Sequence, residues 1–264
     1  MIALLEAGVS RLKYLRMRRA VAPLERQLEK EIAAAFRSQG TAFARAYNQA
    51  RDSFREAAGP DAITQLFDII AMGTRDLLAG PIESAGAKAL EASGKQQTAE
   101  FGVQVAFGLK NPRAVEWLRQ HAAERVADIN DTTRKEIAGI VTRGIEADQT
   151  YDQIAKEIGD RFGEFGQTKQ QAHIQTRAHL VAVTEIGDAY ERGNRFVVDE
   201  IEAQGIDIEK HWRNSGDGRV SAGCLANSAD GWIPLNQPHT SGHQEPLRFP
   251  GCRCWEEYRR KASQ

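Results

Sequence analysis

Apolar residues recur three or four positions apart along most of the chain before Gly205, the spacing that brings them to one face of a helix. The first such run follows Pro23, a residue that suits the first helical position, and it predicts a long amphipathic helix over residues 23–56. Glycine and proline then predict three shorter helices, which end at Gly80-Pro81, near Gly94 and near Gly108.

Capping patterns predict where the following helices begin. Asn111-Pro112 offers a capping side chain and then proline at the first helical position. Three Thr-x-x-Glu or Thr-x-x-Gln sequences, at Thr133, Thr150 and Thr168, have the form of capping boxes that each open a helix. The helix opened by Thr168 is expected to continue to Ala203.

The helical period stops after Gly205. Residues 206–213 alternate apolar and polar as a half-buried strand does, and Asn214 to Gly218 forms a predicted turn. Residues 224–250 look irregular, and Cys254 to Tyr258 predicts a closing strand. The expected fold is therefore mainly α with a small α+β C-terminal module, in which long helices precede a short-stranded, loop-rich tip.

Charge is distributed unevenly along the 264 residues. The net charge is −1, but the segment up to Arg55 carries +6 and the remainder −7. Such a basic arm suits a polyanion such as double-stranded DNA or an acidic protein surface, and a solvated helix explains it equally well. The candidate contacts to DNA phosphates are Arg11, Lys13, Arg16, Arg18 and Arg19.

The number of cysteines and the distribution of apolar residues indicate in which cellular compartment the protein is found. Three cysteines do not make a disulfide framework, which indicates a reducing environment. The short apolar start precedes its basic cluster, the wrong order for a secretory leader. No apolar run approaches membrane-spanning length, so we expect a soluble protein with no membrane partner.

Five potential zinc ligands lie in the loop-rich tip. A structural zinc ion takes four ligands from cysteine and histidine, and His-x3-His is a spacing that zinc sites use. The tight Cys-x-Cys pair argues the other way, so buried thiols without a metal remain the alternative. The five residues are Cys224, His239, His243, Cys252 and Cys254.

A catalytic metal centre is a second hypothesis for the tip. A metal-dependent nuclease or related hydrolase needs an open coordination position and a poised base. His211, Asp217, His239 and His243 supply suitable residue types, but in no recognised catalytic spacing. We therefore expect no enzymatic activity and keep the hydrolase as the alternative.

Several motifs in the last third of the chain occur in an order and at spacings that we recognise. They are Arg177-Ala178, Val181-Ala182-Val183-Thr184-Glu185, Trp212, Asp217-x-Arg219-Val220, Cys224 and Pro250-x-Cys252-Arg253-Cys254. In this the chain resembles the phage Mu protein F-like head morphogenesis family, the phage minor head proteins. The upstream runs Phe107-Gly108-Leu109-x-Asn111-Pro112 and Asp131 to Arg134 are also similar, so that the resemblance covers residues 107–258.

The resemblance implies a non-enzymatic virion component inside the phage head. Such proteins are present in few copies, meet the portal and the capsid or scaffold proteins in the host cytoplasm during assembly, and assist DNA packaging or ejection. It divides the chain into a helical body with its basic arm, residues 1–108, and a minor head module, residues 109–264. Within the module, helices occupy residues 112–204 and the small β and loop tip occupies 205–264.

The resemblance also marks structural positions. They are Arg177, Thr184, Glu185, Trp212, Asp217, Arg219, Cys224, Pro250, Cys252, Arg253 and Cys254. Charged residues on a helix are usually solvated, and that is one reading of Arg177 and Glu185. The other, which the resemblance favours, is that both are buried and bind the tip, for example at Asp217 or Arg253. The chain departs from the family pattern at Ser221 and Phe249, where relatives often have cysteine and histidine, and both departures weaken the case for a metal.

Overall fold

Helices account for most of the chain, and one small sheet lies near its C-terminus. The computed structural model describes residues 2–57, 60–102, 112–165 and 177–261. Side chains are described for residues 10–49, 61–102, 113–165 and 177–261. The predicted class, mainly α with a small α+β C-terminal module, is confirmed.

Seven helices and three strands follow one another in the described residues. The helices are α1 (Ile2–Ala57), α2 (Pro60–Gly73), α3 (Asp76–Phe101), α4 (Pro112–Glu146), α5 (Tyr151–Phe165), α6 (Arg177–Ala203) and α7 (Ala222–Ala229). The strands are β1 (Ile208–Arg213), β2 (Ile233–Pro234) and β3 (Trp255–Arg260). The sheet is antiparallel in the order β2-β1-β3.

Pro23 and Pro81 do not mark helix boundaries as the sequence predicted. Helix α1 begins at Ile2, so Pro23 lies inside it and on its exposed side. Pro81 lies inside α3, which starts at Asp76 and continues past Gly94. A proline omits only one helical hydrogen bond, and packing on either side outweighs that loss. The predicted breaks at Pro81 and Gly94 are wrong.

Helix α4 begins where the sequence predicts, whereas α3 ends inside the helix predicted for residues 97–108. Helix α3 stops at Phe101, and Gly102 adopts a φ of 64°, the left-handed conformation typical of a helix C-terminus. Pro112 is the first residue of α4. The predicted helix end at Gly108 and the capping residue Asn111 lie outside the described residues.

Two of the three predicted capping boxes can be compared. Thr150 opens α5 as expected, because its N–H donates to Gln153 Oε1 at 2.7 Å and Gln153 N–H donates to Thr150 Oγ1 at 3.3 Å. Thr133 is instead buried inside α4, where its hydroxyl donates to the carbonyl of Ile129 at 2.7 Å. The Thr168 box lies in residues 166–176, outside the described residues, although the helix it was predicted to open does end at Ala203.

The chain divides into two compact units, each built from separate segments. The first unit comprises Met1–Arg26, Ser84–Leu118 and Leu180–Gln264, and the second comprises Gln27–Glu83 and Arg119–His179. The division at residue 108 that the resemblance implies stays a prediction. No helix in the described part of the chain combines the length and apolarity that crossing a bilayer requires.

An aromatic cluster forms the core of the second unit. Phe162 of α5 lies 6.4 Å from Phe43 and 6.1 Å from Phe67, measured between ring centroids. Gly40 lets α1 approach this cluster, because a Cβ atom there would lie 2.7 Å from Phe162 Cβ. These rings bury large apolar areas and hold α1, α2 and α5 together.

In the first unit, α6 packs against the sheet. Val197, Val198 and Ile201 of α6 share a buried cluster with Ile208 of β1 and Tyr258 of β3. Strand β1 alternates buried and half-buried residues, as its sequence predicts, and pairs with β3 from Ile208↔Arg260 to Arg213↔Trp255. The tip therefore rests on a helix that carries part of the predicted signature.

The segment from Cys224 to Pro250 is more regular than the sequence indicated. It contains most of α7 and the short strand β2. The prediction missed α7 because its eight residues are too few to show a helical period.

Candidate metal centre

All three cysteines of the chain meet in the first unit. Cys224 lies in the first turn of α7, and Cys252 and Cys254 lie in the loop that leads into β3. The Cys224 and Cys252 sulphur atoms are 3.8 Å apart, and all three sulphurs lie within 4.8 Å of one another. The thiols are free and buried.

The N-terminus of α7 positions Cys224. Ser221 caps this helix, and its hydroxyl oxygen accepts the Cys224 N–H at 3.3 Å. Arg248 Nη1 donates to the same oxygen at 3.0 Å. Gly223 provides the space for that arginine, since a Cβ atom at residue 223 would lie 2.3 Å from Arg248 Nη1. Ser221 thus serves as a helix cap in this chain.

The loop that carries Cys252 is held by α6. Thr184 Oγ1 donates to the carbonyl of Leu180 and accepts the N–H of Gly251 at 2.9 Å. Gly251 has a φ of 78°, a conformation that favours glycine, and the Cys252 N–H then closes a turn onto the Phe249 carbonyl at 3.0 Å. Thr184, a residue of the predicted signature, therefore helps to place the thiols.

Trp212 of β1 completes the cluster. Its side chain is fully buried and packs with Cys224, Cys252 and Cys254, and Val220 and Leu247 lie around them. The indole Nε1 has no conventional hydrogen-bond partner among the described residues. It nevertheless lies close enough to the Cys254 sulphur to lower the pKa of that thiol. The indole N–H is thus a donor available to a thiolate.

The three thiols perturb one another. Hydrogen bonds from Cys254 above all, and from Cys224, lower the pKa of Cys252 to about 5, against the effect of burial. The same hydrogen bond and burial raise the pKa of Cys254 well above its usual range. A cluster that holds one thiolate easily and a second only with difficulty favours a positive ion that would neutralise the excess charge.

The separation of one pair of sulphurs suits a tetrahedral thiolate site. Zinc–sulphur bonds of about 2.3 Å place two sulphurs of a tetrahedron about 3.8 Å apart. The separation between Cys224 and Cys252 is 3.8 Å, so these two residues need no rearrangement to share an ion. The three cysteines are the residues that could hold a metal.

The two histidines of the predicted ligand set lie elsewhere. His239 is buried with Nδ1 hydrogen-bonded to Asp230 at 3.1 Å and Nε2 hydrogen-bonded to Glu256 at 3.1 Å. His243 Nδ1 is hydrogen-bonded to Ser241 Oγ at 2.9 Å. The five-residue ligand set is therefore reduced to its three cysteines, because hydrogen bonding inside the tip occupies His239 on both sides.

The residues suggested for a hydrolase are not gathered at one metal position. His211 Nε2 is hydrogen-bonded to the Ser228 carbonyl at 3.1 Å, and Asp217 binds the guanidinium of Arg253. Within the described parts of the chain, the cysteines are the one group of three or more candidate metal ligands that was found.

The signature positions divide between the two units. Arg177 lies in the second unit, where its Nη2 donates to the Ile129 carbonyl at 2.6 Å and its Nη1 lies 3.6 Å from Glu136. Burial lowers its pKa to about 10. Within the first unit, Asp217 and Arg253 bind each other.

Other signature positions differ in exposure. Glu185 is buried in α6, as the resemblance implied. Arg219 and Pro250 are exposed, and the backbone N–H of Arg219 donates to Asp217 Oδ1 at 3.1 Å.

Charged residues buried beneath the sheet were not predicted. Lys210 of β1 is fully buried and donates from Nζ to the carbonyl and to Oε1 of Gln244. Glu191 of α6 accepts the N–H of Glu256 at 3.1 Å. Burial lowers the pKa of Lys210 to about 8 and raises the pKa values of Glu191 and Glu256. Glu191 and Glu256 look solvent-exposed in the sequence. Lys210, however, is in phase with Ile208 and Trp212, so the alternation along β1 already indicates a buried position.

The basic arm is only partly available to a partner. Lys13 forms an ion pair with Glu100 at 3.0 Å, and Arg18 forms a bidentate pair with Glu25, with both distances 2.7 Å. Arg11, Arg16 and Arg19 are exposed. Two of the five candidate phosphate contacts are thus neutralised within the chain.

Comparisons with known proteins do not assign the chain to a family. No protein-family model, no curated protein and no solved structure matches the chain.

Proposed function

We propose that the protein is a phage minor head protein of the Mu protein F-like kind. It is a non-enzymatic component of the virion that meets the portal and the capsid or scaffold proteins in the host cytoplasm and remains inside the head. Its role lies in head assembly and in the packaging or ejection of DNA.

The observation that supports this proposal is the meeting of the signature residues. Trp212, Cys224, Cys252 and Cys254 come from three separate segments and share one buried cluster. Thr184 binds the loop between Pro250 and Cys252 through the Gly251 N–H, and Arg253 binds Asp217. Residues that recur because a family shares one folded module are expected to pack together and hold that module in shape. Residues of a catalytic motif are expected instead to face a cleft.

Head association is tested with particles. The full chain is co-expressed with the portal and capsid proteins of the same phage, and particles are purified, washed in high salt and analysed by quantitative mass spectrometry. Retention at a low, fixed ratio to portal is the expected result. An unrelated helical protein of similar size, co-expressed in the same way, controls for trapping, and loss of the chain to the level of that control would contradict the proposal.

We further propose that the three cysteines hold a structural zinc ion. Cys224, Cys252 and Cys254 supply thiolates, and the buried Trp212 side chain packs against them. Zinc would join α7 to the loop before β3 and so stabilise a tip that has little apolar core of its own. The cysteines supply three of the four ligands that a structural zinc site takes from cysteine and histidine, so a fourth protein ligand would have to join them.

Zinc is tested by metal analysis of the purified full chain. We expect about one zinc per chain and a fall in melting temperature of several degrees when a chelator removes it. Cys252→Ser should abolish zinc binding, whereas His243→Asn, which changes a predicted ligand that lies elsewhere, should keep it. If the native protein contains no zinc, and neither a chelator nor added zinc changes its melting temperature, the zinc proposal is rejected. The three thiols are then buried and bind no metal.

The hydrolase alternative is examined on the same preparation. DNA hydrolysis that EDTA abolishes would support it, and the absence of hydrolysis both with and without EDTA is the result that the minor head proposal predicts.

A further inference from the structure

Two sulphur atoms of the cysteine cluster touch across separate segments of the chain. Cys224 Sγ on α7 and Cys252 Sγ in the loop before β3 lie 3.8 Å apart, although the two residues are 28 positions apart in sequence. The sulphurs of a disulfide lie about 2.05 Å apart, so this pair would have to approach by about 1.8 Å to form one. The fold has therefore brought two distant thiols almost to bonding distance.

Backbone contacts hold both cysteines without using their sulphur atoms. The Cys224 N–H donates to Ser221 Oγ at 3.3 Å, and the Cys252 N–H donates to the carbonyl of Phe249 at 3.0 Å. Rotation about each Cα–Cβ bond moves a sulphur atom and leaves these hydrogen bonds in place. Closing the pair is therefore expected to be a local side-chain change, in which α7 and the loop keep their positions.

Burial decides which oxidant reaches the pair. Cys224 and Cys252 expose 1% and 5% of their surface, and Trp212 packs against both. A bulky oxidant would have to open the tip, whereas hydrogen peroxide is little larger than a water molecule. Burial also leaves a neighbouring cysteine as the group that can react with an oxidised sulphur.

We propose that Cys224 and Cys252 close to a reversible disulfide when a small peroxide oxidises the cluster, and that this bond and a bound zinc ion exclude each other. In the first step a thiolate sulphur attacks one peroxide oxygen, the O–O bond breaks and hydroxide leaves, so that the sulphur becomes a sulfenic acid. In the second step the other thiol attacks that sulphur, the S–S bond forms and the oxygen leaves as water. The two sulphurs together lose two electrons to the peroxide, and the two thiol protons end in water.

The exclusion follows from what zinc requires of the sulphurs. Zinc binds cysteine as a thiolate, and a disulfide sulphur has no thiolate charge to offer it. Oxidation would therefore release the ion, and a bound ion would protect the two thiols from peroxide. This exclusion rests on the zinc site proposed above, whereas the disulfide itself needs only the short distance between Cys224 and Cys252.

Either link joins α7 to the loop before β3. A disulfide between residues 28 positions apart also removes conformational freedom from the unfolded chain, which stabilises the folded tip. If the protein is part of a phage particle, as proposed, it leaves a reducing cytoplasm for an oxidising medium when the cell lyses. On that proposal zinc holds the tip during assembly and the disulfide holds it in the released particle.

Peptide mass spectrometry of the purified full chain tests the inference. The chain is freed of zinc with a chelator, treated with hydrogen peroxide, blocked with a thiol-alkylating reagent and digested with trypsin without reduction. Cleavage after Arg253 separates Cys252 from Cys254, so the digest shows which cysteine is linked. We expect a loss of two hydrogen atoms, a linked pair Cys224–Cys252 and one alkylated cysteine, Cys254, and a thiol reductant should reverse the change.

Zinc loading, melting temperature and two variants sharpen the test. The chain loaded with zinc should form the bond about tenfold more slowly, because the ion then holds the thiolates, and equal rates would overturn the exclusion. The oxidised, zinc-free chain should melt several degrees above the reduced, zinc-free chain. Cys254→Ser should keep the bond, and Cys224→Ser should lose it while circular dichroism shows the same helical content.

A link that includes Cys254, a link between two chains, sulfinic acid in place of a bond, or three unmodified thiols would each overturn the inference. These results are distinguishable from failure of the zinc proposal. A chain that forms the bond but never binds zinc rejects the zinc site and the exclusion and keeps the disulfide. A chain that binds zinc but forms no bond rejects the disulfide and keeps the zinc site.

Discussion

At the scale of single residues, Gly193 sets the distance between α3 and α6. A Cβ atom at this position would lie 2.0 Å from Ser93 Oγ and 2.5 Å from the Leu90 carbonyl oxygen. The serine side chain has some freedom to move, but the carbonyl belongs to the backbone of α3. Any side chain at residue 193 must therefore separate the two helices.

Gly193→Ala is expected to destabilise the first unit by about 1–3 kcal/mol, because overpacking at a close helix contact strains the backbone. Gly159→Ala is the matched control, since Gly159 also lies inside a helix but nothing approaches its Cβ position within 4 Å. That control should stabilise the protein by about 0.5–1 kcal/mol. Urea unfolding of both variants measures the difference, and similar midpoints for the two would refute the close contact.

The candidate metal site shows what residue types and spacing can predict. The three cysteines were correctly identified as candidates, because a short loop-rich tip brings its thiols near one another. The His-x3-His spacing was misleading, since His239 is bound by Asp230 and Glu256, residues nine and seventeen positions away. Those partners depend on how the tip folds around β3, which spacing alone does not reveal.

At the scale of helices and strands, identical capping patterns had different outcomes. Thr150 opens α5 because α4 has already ended, with Asp148 at a φ of 51°. At Thr133 the hydroxyl is satisfied by the Ile129 carbonyl, and Glu136 pairs with Arg161 at 2.9 Å instead of returning to the backbone of Thr133. Tertiary partners therefore decide whether a capping box is used.

Strand β3 has a buried, carboxyl-rich edge. The Glu191 carboxylate accepts the N–H of Glu256 at the outer edge of the sheet. Burial raises the pKa values of Glu191, Glu245 and Glu256. The folded state therefore keeps protons that the unfolded chain has released, so these groups stabilise the fold below their unfolded pKa of 4.5 and lose that contribution as pH rises through the folded values.

The contribution of these three carboxyl groups to the stability of the first unit is accordingly expected to fall as pH rises above 4.5, whereas the lowered pKa of Cys252, about 5, contributes with the opposite sign at neutral pH. Lys210 has the opposite sign, because its lowered pKa of about 8 makes stability rise with pH only between about 8 and 10.5. Glu191→Gln keeps an oxygen that can accept the Glu256 N–H and removes the titrating group. Relative to the wild type, this variant should gain stability as pH rises above 4.5, and it should be at least as stable as the wild type at pH 8.

Urea unfolding at pH 5, 6, 7 and 8 measures this effect, and Glu124→Gln, at an exposed position of α4, is the control. A wild-type profile parallel to that of Glu191→Gln would show that Glu191 does not titrate in this range.

At the scale of the whole molecule, the sequence predicted the class of fold but not how segments combine. Helical periodicity and the alternation in residues 206–213 were sufficient for a mainly α chain with a small sheet. Each compact unit, however, collects segments that are far apart in sequence, and Arg177 lies in a different unit from Trp212. Long-range packing of this kind leaves no local signal.

The fold also changes how the positive charge of the N-terminal segment is interpreted. The basic arm carries +6 up to Arg55, which alone would suit DNA. Ion pairs of Lys13 with Glu100 and of Arg18 with Glu25 neutralise part of this charge within the chain, so the net charge of the segment overstates what it offers to DNA.

The most direct test of the account is the number of copies of this chain in purified heads, counted relative to portal in both empty and DNA-filled particles. A minor head protein held by the portal or capsid should show the same low ratio in both, before and after a high-salt wash. A ratio of chain to portal that rises with DNA content and falls sharply in high salt would contradict the account. It would show that the protein is retained through the packaged DNA.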